Sequence, residues 1–320
     1  MLAAYAARFS AETPASALDV GERPEPEARE NWTTVEVRAA SVNHHDVWSL
    51  QGVGLAAKSL PIILGTDAAG VAPDGTEVVI HSVIGADGHG VGPRETRSML
   101  SERYQGTFAQ RVSVPTANLL AKPAELSFEE ASCLPTAWLT AYRMLFVAAD
   151  LRPGNSVLIQ GAGGGLSSAA IALGAAAGLE VYATSRSADK RERAMALGAA
   201  AVFEPGERLP ARVDAVIESV GKATWAHSVS SVKAGGTIAV AGLTTGDPEP
   251  ANLTRVFFQE IRIQGVTMGA REDLAALLSF MARTGLRPTI DSVLPLAQAR
   301  EAVARVASGE HFGKVVLAVD

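Results

Sequence analysis

The chain has little of what defines several common protein classes: one cysteine, no long apolar run and no excess of positive charge. The single cysteine, Cys133, excludes an internal disulfide framework and any zinc module built from several cysteines. No uncharged apolar stretch reaches the roughly 18–20 residues of a membrane span. The nearest candidate, Ser167 to Leu179, is too short. The net charge is −6 without a long basic run, so neither a nucleic-acid surface nor electrostatic attachment to a membrane is expected.

What the chain does contain is typical of a folded enzyme-sized protein. Hydrophobic residues make up 48% and charged residues 19%, which is enough apolar material for a sizeable core. At roughly 150 residues per domain, the length of 320 predicts two domains. The opening residues, MLAAYAARFSAETP, show no basic leader before an apolar core, so we expect a soluble cytoplasmic protein.

The residue pattern changes near Lys122-Pro123. Before it, short alternating segments such as 33–39, 77–80 and 106–115 predict a β-rich region. After it, Ser127 with Glu130 three residues later has capping-box spacing and predicts a helix that continues to about residue 149.

From residue 156 onward, apolar strands alternate with helices. Strands are predicted at 156–161, 180–185, 200–203, 214–219, 236–242 and 261–266, and helices at 166–177, 188–197 and 271–284. Continuous apolar strands between helices favour an α/β fold with a doubly wound parallel sheet of the Rossmann type. A strand at 293–296, a helix at 297–308 and a strand at 314–319 close the chain and could return to the first region.

The strongest chemical signal is a glycine-rich turn between a predicted strand and a helix. It consists of Gly161, Ala162, Gly163, Gly164, Gly165 and Leu166. Glycines let the backbone turn tightly and approach a pyrophosphate, and the helix N-terminus attracts an anion. The strand–turn–helix context predicts a dinucleotide site, although Leu166 stands where the strict motif has its third glycine. The alternative is a purely structural glycine turn.

The end of the second strand of this unit predicts which dinucleotide binds. An acidic residue there would hold the ribose 2′-hydroxyl of NAD, but the chain has Ser185 and Arg186, with Lys190 one turn later. A hydroxyl and a guanidinium suit the extra phosphate of NADP(H). The alternative is that these basic residues form an ordinary solvated helix face.

Six segments together resemble the medium-chain dehydrogenase/reductase superfamily, and within it the zinc-free, quinone-oxidoreductase-like branch. They are SVNHHDVWSLQG (41–52), ILGTDAAGV (63–71), LPTAWLTAYRML (134–145), VLIQGAGGGLS (157–167), GAAAVF (198–203) and FGKVVL (312–317). The resemblance implies a β-rich, GroES-like catalytic domain from residues 1–120 and 287–320. It also implies a Rossmann domain at 121–286 that binds a nicotinamide cofactor, and homodimers or homotetramers.

Zinc-dependent relatives carry their ligands at positions that correspond to Asn43, Thr66 and Thr136 here, and none of these is a good zinc ligand. Other metal ligands could come from His44, His45, Asp46, Asp67, His81 and His89. If the adjacent His44 and His45 lie on an extended segment, their side chains point to opposite faces. No metal site is therefore predicted.

The resemblance also implies individual roles. Thr140 is expected at the nicotinamide carboxamide, with Val220, Gly242 and Leu243 along the nicotinamide half and Lys314 reaching the cofactor from the other domain. Each of them has a packing or solvation alternative.

Two residues are candidates for the chemistry itself. Asn43 is expected to bond the substrate carbonyl or the nicotinamide ribose, unless it caps the local turn. His45 is expected to act as a proton donor or relay, unless it is only a hydrogen-bonded neighbour of the site. The adjacent Asp46 is expected to bond backbone N–H groups.

These features predict an NADPH-dependent, zinc-independent oxidoreductase that transfers hydride to a quinone or another activated carbonyl or alkene. One alternative is an enone or enoyl double-bond reductase, although Gly54 stands where such relatives often place a tyrosine donor. Another is a low-turnover NADPH-binding sensor or structural protein. A zinc alcohol dehydrogenase is disfavoured by the missing ligand set.

Overall fold

The computed structural model of the chain describes residues 1–85, 97–248 and 252–320. By compactness these divide into two units. Unit 1 comprises Met1–Ala137 and Gly269–Asp320, and unit 2 comprises Trp138–Met268. Both chain ends therefore belong to unit 1.

The unit bounds fall 17 residues after and 18 residues before the predicted domain bounds of 120/121 and 286/287 (137 − 120 and 286 − 268). Local contacts account for this. The helix that starts at Phe128 packs against strands of unit 1, and His81 Nε2 lies 2.8 Å from the Gly269 carbonyl oxygen.

The described residues form eighteen strands. They are β1 (Leu2–Ala6), β2 (Leu18–Glu22), β3 (Trp32–Val42), β4 (Ile62–Ile63), β5 (Asp67–Val71), β6 (Glu77–Ile80), β7 (Val83–Gly85), β8 (Arg97–Met99), β9 (Arg111–Pro115), β10 (Leu119–Ala121), β11 (Ser156–Ile159), β12 (Glu180–Thr184), β13 (Ala201–Phe203), β14 (Val213–Glu218), β15 (Val232–Val240), β16 (Arg262–Gly265), β17 (Ile290–Pro295) and β18 (Lys314–Ala318).

The same residues form nine α-helices. They are α1 (His44–Leu50), α2 (Phe128–Ser132), α3 (Leu139–Tyr142), α4 (Gly165–Ala176), α5 (Ala188–Ala196), α6 (Trp225–Ser231), α7 (Leu253–Phe258), α8 (Arg271–Thr284) and α9 (Ala299–Ser308). Helix α3 lies between two π-helical turns, Leu134–Trp138 and Arg143–Ala148, so the long helix predicted after Ser127 is a succession of shorter segments. Pro135 lies in the first π-turn and has no backbone N–H for a regular helix.

Unit 1 is built around a seven-stranded sheet in the order β10-β6-β5-β3-β18-β17, with β9 also on β3. Strand β18, from the end of the chain, pairs antiparallel with β3, and Val315 lies opposite Val42. This pairing brings Lys314 beside the carboxyl end of β3. The apolar core beneath includes Leu50, Ile80 and Phe108.

Unit 2 contains a six-stranded sheet in the order β13-β12-β11-β14-β15-β16, and every neighbouring pair is parallel. This is the strand order of dinucleotide-binding sheets, in which ligands bind where the order reverses, here between β11 and β14. Leu158, Val216 and Ile238 from three adjacent strands form the buried core. The predicted doubly wound α/β fold with a second, β-rich part is confirmed.

Some elements differ from prediction. The strand predicted at 106–115 is regular only from Arg111, because residues 106–108 donate backbone hydrogen bonds to Ile63, Gly65 and Leu64 instead. Helices α1, α6 and α7 were not predicted. Within the described ranges, no helix combines the length and the apolar character needed to cross a membrane.

Candidate cofactor and active sites

The glycine loop of unit 2 has a shape that only glycine allows. Gly161 and Gly163 have φ angles of +74° and +134°, and α4 begins at Gly165. A β-carbon on Gly161 would lie 2.6 Å from Val220 Cγ2, and one on Gly163 would lie 2.7 Å from Lys190 Cδ. Glycine at these two positions permits the tight turn before α4, and the first N–H groups of α4, which have no intrahelical acceptors, can bind an anion. The loop therefore fits a dinucleotide phosphate bridge.

Hydrogen bonds to the neighbouring strand fix this loop. Gly161 N donates to Thr184 Oγ1 over 3.2 Å, and Ala162 N donates to the Thr184 carbonyl over 2.7 Å. Ser167 Oγ donates to the Gly161 carbonyl over 2.9 Å. The backbone is held from both sides, so the loop is preorganised.

A buried polar network behind the loop was not predicted. Gln160 Oε1 accepts from Thr184 Oγ1 over 2.7 Å, and its Nε2 donates to Ser228 Oγ over 3.1 Å. Ser228 Oγ donates in turn to Glu218 Oε2 over 2.6 Å. Glu218 is fully buried and accepts the backbone N–H of Val220 over 2.8 Å. The network thus ties the glycine loop to the segment after β14.

The predicted nicotinamide-side residues of unit 2 come partly together. A β-carbon on Gly221 would lie 3.2 Å from Leu243 Cα, so the segments after β14 and β15 are adjacent. Val220 contacts the glycine loop, and Val220, Gly242 and Leu243 are half-buried. Thr140 is buried on α3. Their contacts with a cofactor stay predictions.

The basic residues after β12 do not form one uniform solvated face. Lys190 is half-buried, and its side chain lies against Gly163 of the loop. Arg191 donates to the Ser185 carbonyl over 2.7 Å and pairs with Glu204 over 3.2 Å. Ser185 is buried, whereas Arg186 is exposed. Lys190 is therefore the cation that the fold brings to the loop.

Unit 1 contains a second feature, which we call the polar cluster: Ser41, Asn43, Thr66, Asp67, Thr136 and Lys314. Its centre is the Lys314 ammonium, which donates to Asn43 Oδ1 over 2.5 Å, to Asp67 Oδ2 over 3.3 Å and to the Val42 carbonyl over 2.9 Å. Lys314 is 2% exposed and Asp67 is fully buried. These three acceptors match the three donors of an ammonium. The predicted contact between Lys314 and a cofactor stays a prediction.

The three positions that hold zinc in metal-dependent relatives do converge in the polar cluster. Asn43 Nδ2 donates to Thr66 Oγ1 over 3.2 Å, and Thr66 Oγ1 lies 3.0 Å from Thr136 Oγ1. An amide and two hydroxyls bonded to one another are poor zinc ligands, since zinc prefers thiolate, imidazole and carboxylate.

The described ranges contain no group of three or more His, Cys, Asp or Glu side chains that could hold a metal. His89, a metal candidate from the sequence, lies outside the described residues. The catalytic zinc of the metal-dependent relatives does not fit the described side chains.

The NHHD segment begins helix α1, so the extended geometry considered for His44 and His45 does not occur. Asn43 caps α1, and its N–H donates to Asp46 Oδ2 over 2.8 Å, while Gly65 N donates to Asp46 Oδ1 over 3.1 Å. The expected backbone bonding by Asp46 is confirmed. Successive helical residues point about 100° apart, not 180°. His44 accordingly packs edge-on against Trp48, one turn later, with a ring distance of 5.0 Å, and His45 points elsewhere.

Burial and neighbouring charges shift the proton affinities in unit 1. Burial raises the pKa of Asp46 to about 6, although His45 opposes this. Burial alone would lower the pKa of His45, but its hydrogen bond with Glu102 and the charge of Asp46 outweigh it and raise the pKa above the ordinary value. Burial also raises the pKa of Cys133 to about 12, so this thiol is not a nucleophile at neutral pH.

Comparison with known proteins agrees with both units. Residues 165–283 match the zinc-binding dehydrogenase family, and residues 29–124 match the GroES-like domain of alcohol dehydrogenases. A zinc-type alcohol dehydrogenase-like protein of Schizosaccharomyces pombe is 30% identical over 89% of this chain and 90% of its own length.

Solved structures show the same fold over the whole chain. An NAD-dependent alcohol dehydrogenase is 33% identical with a TM-score of 0.90, and the match covers all of both chains. The 2-octenoyl-CoA carboxylase reductase CinF, solved with NADP and 2-octenoyl-CoA, is 25% identical with a TM-score of 0.89 over 99% of this chain and 87% of its own. The chain therefore belongs to the medium-chain dehydrogenase/reductase superfamily and is an oxidoreductase of that family, and the predicted GroES-like and Rossmann parts are confirmed.

Proposed function

We propose that this protein transfers hydride from NADPH to a quinone or another activated carbonyl or alkene without a catalytic zinc. The observation that carries the proposal is the pairing of a glycine-only phosphate loop with the Lys190 side chain that lies against Gly163. The donor set of the polar cluster supports the zinc-independent part.

The glycine loop and its surroundings would hold the cofactor, which supplies the hydride when bound. The backbone of Gly161 to Leu166 and the N-terminus of α4 would bind the pyrophosphate. Lys190 and Ser185 would bind the ribose 2′-phosphate, since an ammonium is a strong point-charge partner for phosphate. Because hydride chemistry belongs mainly to the cofactor, the protein has to bind, orient and shield it.

Side chains of unit 1 would supply the proton that the substrate takes up after it has received the hydride. His45 is the candidate donor to the reduced substrate, because an imidazole titrates near neutral pH and the neighbours of His45 raise its pKa above the ordinary value. Asn43 and Lys314 both bond the buried Asp67 carboxylate, so we assign them to holding the polar cluster in place beside α1 and not to the proton transfer. A quinone oxygen can also take its proton from water, so the reaction tolerates a weak acid.

An enone or enoyl-thioester reductase is the second candidate. It is favoured by the similarity to CinF, whose structure holds NADP and 2-octenoyl-CoA. The similarity to an NAD-dependent alcohol dehydrogenase makes the choice of dinucleotide the first question to test.

The decisive experiment compares NADPH with NADH in binding and in stopped-flow oxidation, with benzoquinone, an α,β-unsaturated ketone and an enoyl thioester as acceptors. We expect tighter binding of NADPH and oxidation with at least one acceptor. His45→Gln should slow alkene reduction while leaving NADPH affinity unchanged. Absence of NADPH binding at millimolar concentration would end the proposal, and binding without turnover would favour a sensor.

The zinc-independent part has its own test. The purified protein is washed with chelator, and its metal content and activity are measured together. We expect undiminished activity with less than one zinc per chain. One tightly held zinc on which activity depends would contradict this part.

A second copy of the chain is the proposed partner. Strand β16 lies at the end of the described six-stranded order, and Ile263 on it is 44% exposed. Phe257 and Phe258 just before it are 62% and 71% exposed. A strand at the end of a sheet, with exposed apolar side chains on it and beside it, can pair with an identical edge across a two-fold axis.

Light scattering can test this partner. We expect a dimer or a larger even assembly that Ile263→Lys converts to monomers. Val53→Lys, which changes another exposed apolar residue, should have no effect. A monomeric wild-type protein would contradict it.

A further inference from the structure

The ion pair between His45 and Glu102 has no role in the function proposed so far. His45 is the second residue of α1, and Glu102 follows β8, 57 positions later. His45 Nε2 lies 3.2 Å from Glu102 Oε1, and the two side chains are 21% and 31% exposed. This partial burial distinguishes the pair from a fully solvated surface contact.

The two ring nitrogens of His45 have different environments. Nε2 bonds Glu102, whereas Nδ1 is buried and has no hydrogen-bond partner among the described residues. A carboxylate accepts but does not donate, so Nε2 must carry the proton in this pair. In the protonated ring, Nδ1 then carries the other proton, which no described group accepts.

An unusual backbone angle and two backbone hydrogen bonds fix the turn that carries Glu102. Ser101, just before it, has a φ of +67°, a conformation that non-glycine residues rarely adopt. The Ser101 N–H donates to the Tyr104 carbonyl over 2.9 Å, and the fully buried Leu100 donates to the Ser82 carbonyl over 3.1 Å. Strained residues of this kind cluster at functional sites.

Other charges also act on His45. Asp46 is adjacent on α1 and Asp67 lies in the polar cluster, and both favour the protonated imidazole. Lys314 is paired with Asp67 and reduces the influence of that carboxylate. Glu102 is the acidic group that bonds the ring directly, so it also controls the ring's tautomer.

We propose that Glu102 is a positioning residue that keeps the proton of His45 on Nε2, so that Nδ1 is the atom that gives a proton to the reduced substrate. The N–H bond at Nδ1 breaks and an O–H or C–H bond forms on the substrate, which has gained the hydride electrons. Neutral imidazole remains bonded to Glu102, and water returns the proton to Nδ1 after product release. This inference rests on the proposed reductase function.

The test compares wild type with Glu102→Gln, which removes the charge but keeps the size of the side chain. ¹⁵N NMR reports the tautomer and the pKa of His45, and His45→Gln identifies its signals. We expect the pKa of His45 to fall by about one unit, the lower end of the range for loss of a nearby opposite charge.

The pH profile of NADPH-dependent reduction gives the catalytic readout. The limb on which kcat/KM falls at high pH should move down by about one unit in Glu102→Gln. Above the His45 pKa values of both proteins, kcat/KM of Glu102→Gln should be about tenfold lower than that of wild type. Below both pKa values, the two proteins should have equal kcat/KM. A merely structural defect would lower activity at every pH.

Glu77→Gln is the matched control, because Glu77 is also half-exposed and pairs with Lys122 over 2.9 Å without contacting a histidine. It should change neither the NMR titration nor the pH profile. An unchanged tautomer and pKa of His45 in Glu102→Gln would overturn the proposal, and so would a shifted pKa with an unmoved kinetic limb. If the wild type oxidises no NADPH, the reductase function fails, and the NMR titration alone decides whether Glu102 controls His45.

Discussion

The glycine loop of unit 2 and the polar cluster of unit 1 are built in opposite ways. The loop is a backbone structure, in which glycine at 161 and 163 permits the turn and the close approach of Val220 and Lys190, and bonds to Thr184 fix the main chain. The cluster is a side-chain structure, in which one buried ammonium holds together acceptors from β3, β5 and the start of α1.

This difference predicts which kind of substitution disrupts each region. The loop is sensitive to added volume, because a β-carbon at Gly161 or Gly163 would collide with Val220 or Lys190. The cluster is sensitive to lost charge, because Asp67 and Lys314 are buried together and neither has access to water. Substitutions in the loop should change cofactor affinity, whereas substitutions in the cluster should change stability.

Lys314→Met should give the largest effect. It leaves the Asp67 carboxylate buried without its cation, which costs about 3–5 kcal/mol in the free energy of unfolding. Denaturant unfolding measures this loss. The double variant Lys314→Met/Asp67→Asn should recover part of it, because no unpaired charge remains. A double variant less stable than Lys314→Met would show that the ion pair is not what stabilises the cluster.

Asp46→Asn should change how stability depends on pH. Asp46 has a pKa of about 6 in the folded protein against an ordinary value of 3.8. Between these values the folded state binds more protons than the unfolded state, so the Asp46 contribution to stability falls as pH rises from 4 to 6. Two units correspond to about 3 kcal/mol.

The Asp46→Asn variant has no titrating group at this position, so it lacks this decrease in the free energy of unfolding between pH 4 and 6. It also loses one backbone hydrogen bond, which lowers its stability at every pH. Its free energy of unfolding relative to wild type should therefore improve as the pH rises from 4 to 7. Unfolding curves at four or five pH values suffice to measure the slope. Parallel pH profiles for the two proteins would refute the assignment.

The same contrast explains what could be predicted from the sequence. The loop lies within six consecutive residues, and its strand–turn–helix context is local, so the pattern was sufficient. Helix α8 was predicted with its observed bounds, 271–284, for the same reason. The pair of Lys314 and Asp67 is 247 positions apart and depends on the register of β18 on β3. No local pattern contains that register.

The missed helix α1 did have a local signal. Asn43 and Asp46 have the spacing of a capping box, and the Asp46 carboxylate accepts the Asn43 N–H as that motif requires. Glu102 had no such signal, since its turn is defined by bonds of Ser101 and Leu100 to Tyr104 and Ser82.

Gly161→Ala tests the loop side of the comparison. Its β-carbon would lie 2.6 Å from Val220 Cγ2, at a φ of +74° that L-residues rarely adopt. The Kd of NADPH, measured by fluorescence titration, should rise about 100-fold, or about 2.7 kcal/mol. Gly178→Ala, with a φ of +76° beyond the other end of α4, carries similar backbone strain but leaves the loop intact. Wild-type affinity in Gly161→Ala would mean that the loop does not hold the cofactor.

Lys190→Met should have the smallest and most selective effect, because it removes charge from the loop without adding volume. Loss of one cation from a partly exposed phosphate site should raise the Kd of NADPH about tenfold, or about 1.4 kcal/mol, and leave that of NADH unchanged. Arg152→Met, which removes the 77% exposed guanidinium at the start of the same unit, controls for net charge and should affect neither. Since Gly161→Ala weakens both dinucleotides and Lys190→Met only one, the two variants separate recognition of the shared pyrophosphate from recognition of the 2′-phosphate. An equal loss for both dinucleotides in Lys190→Met would place its ammonium at the pyrophosphate and remove the main support for NADPH.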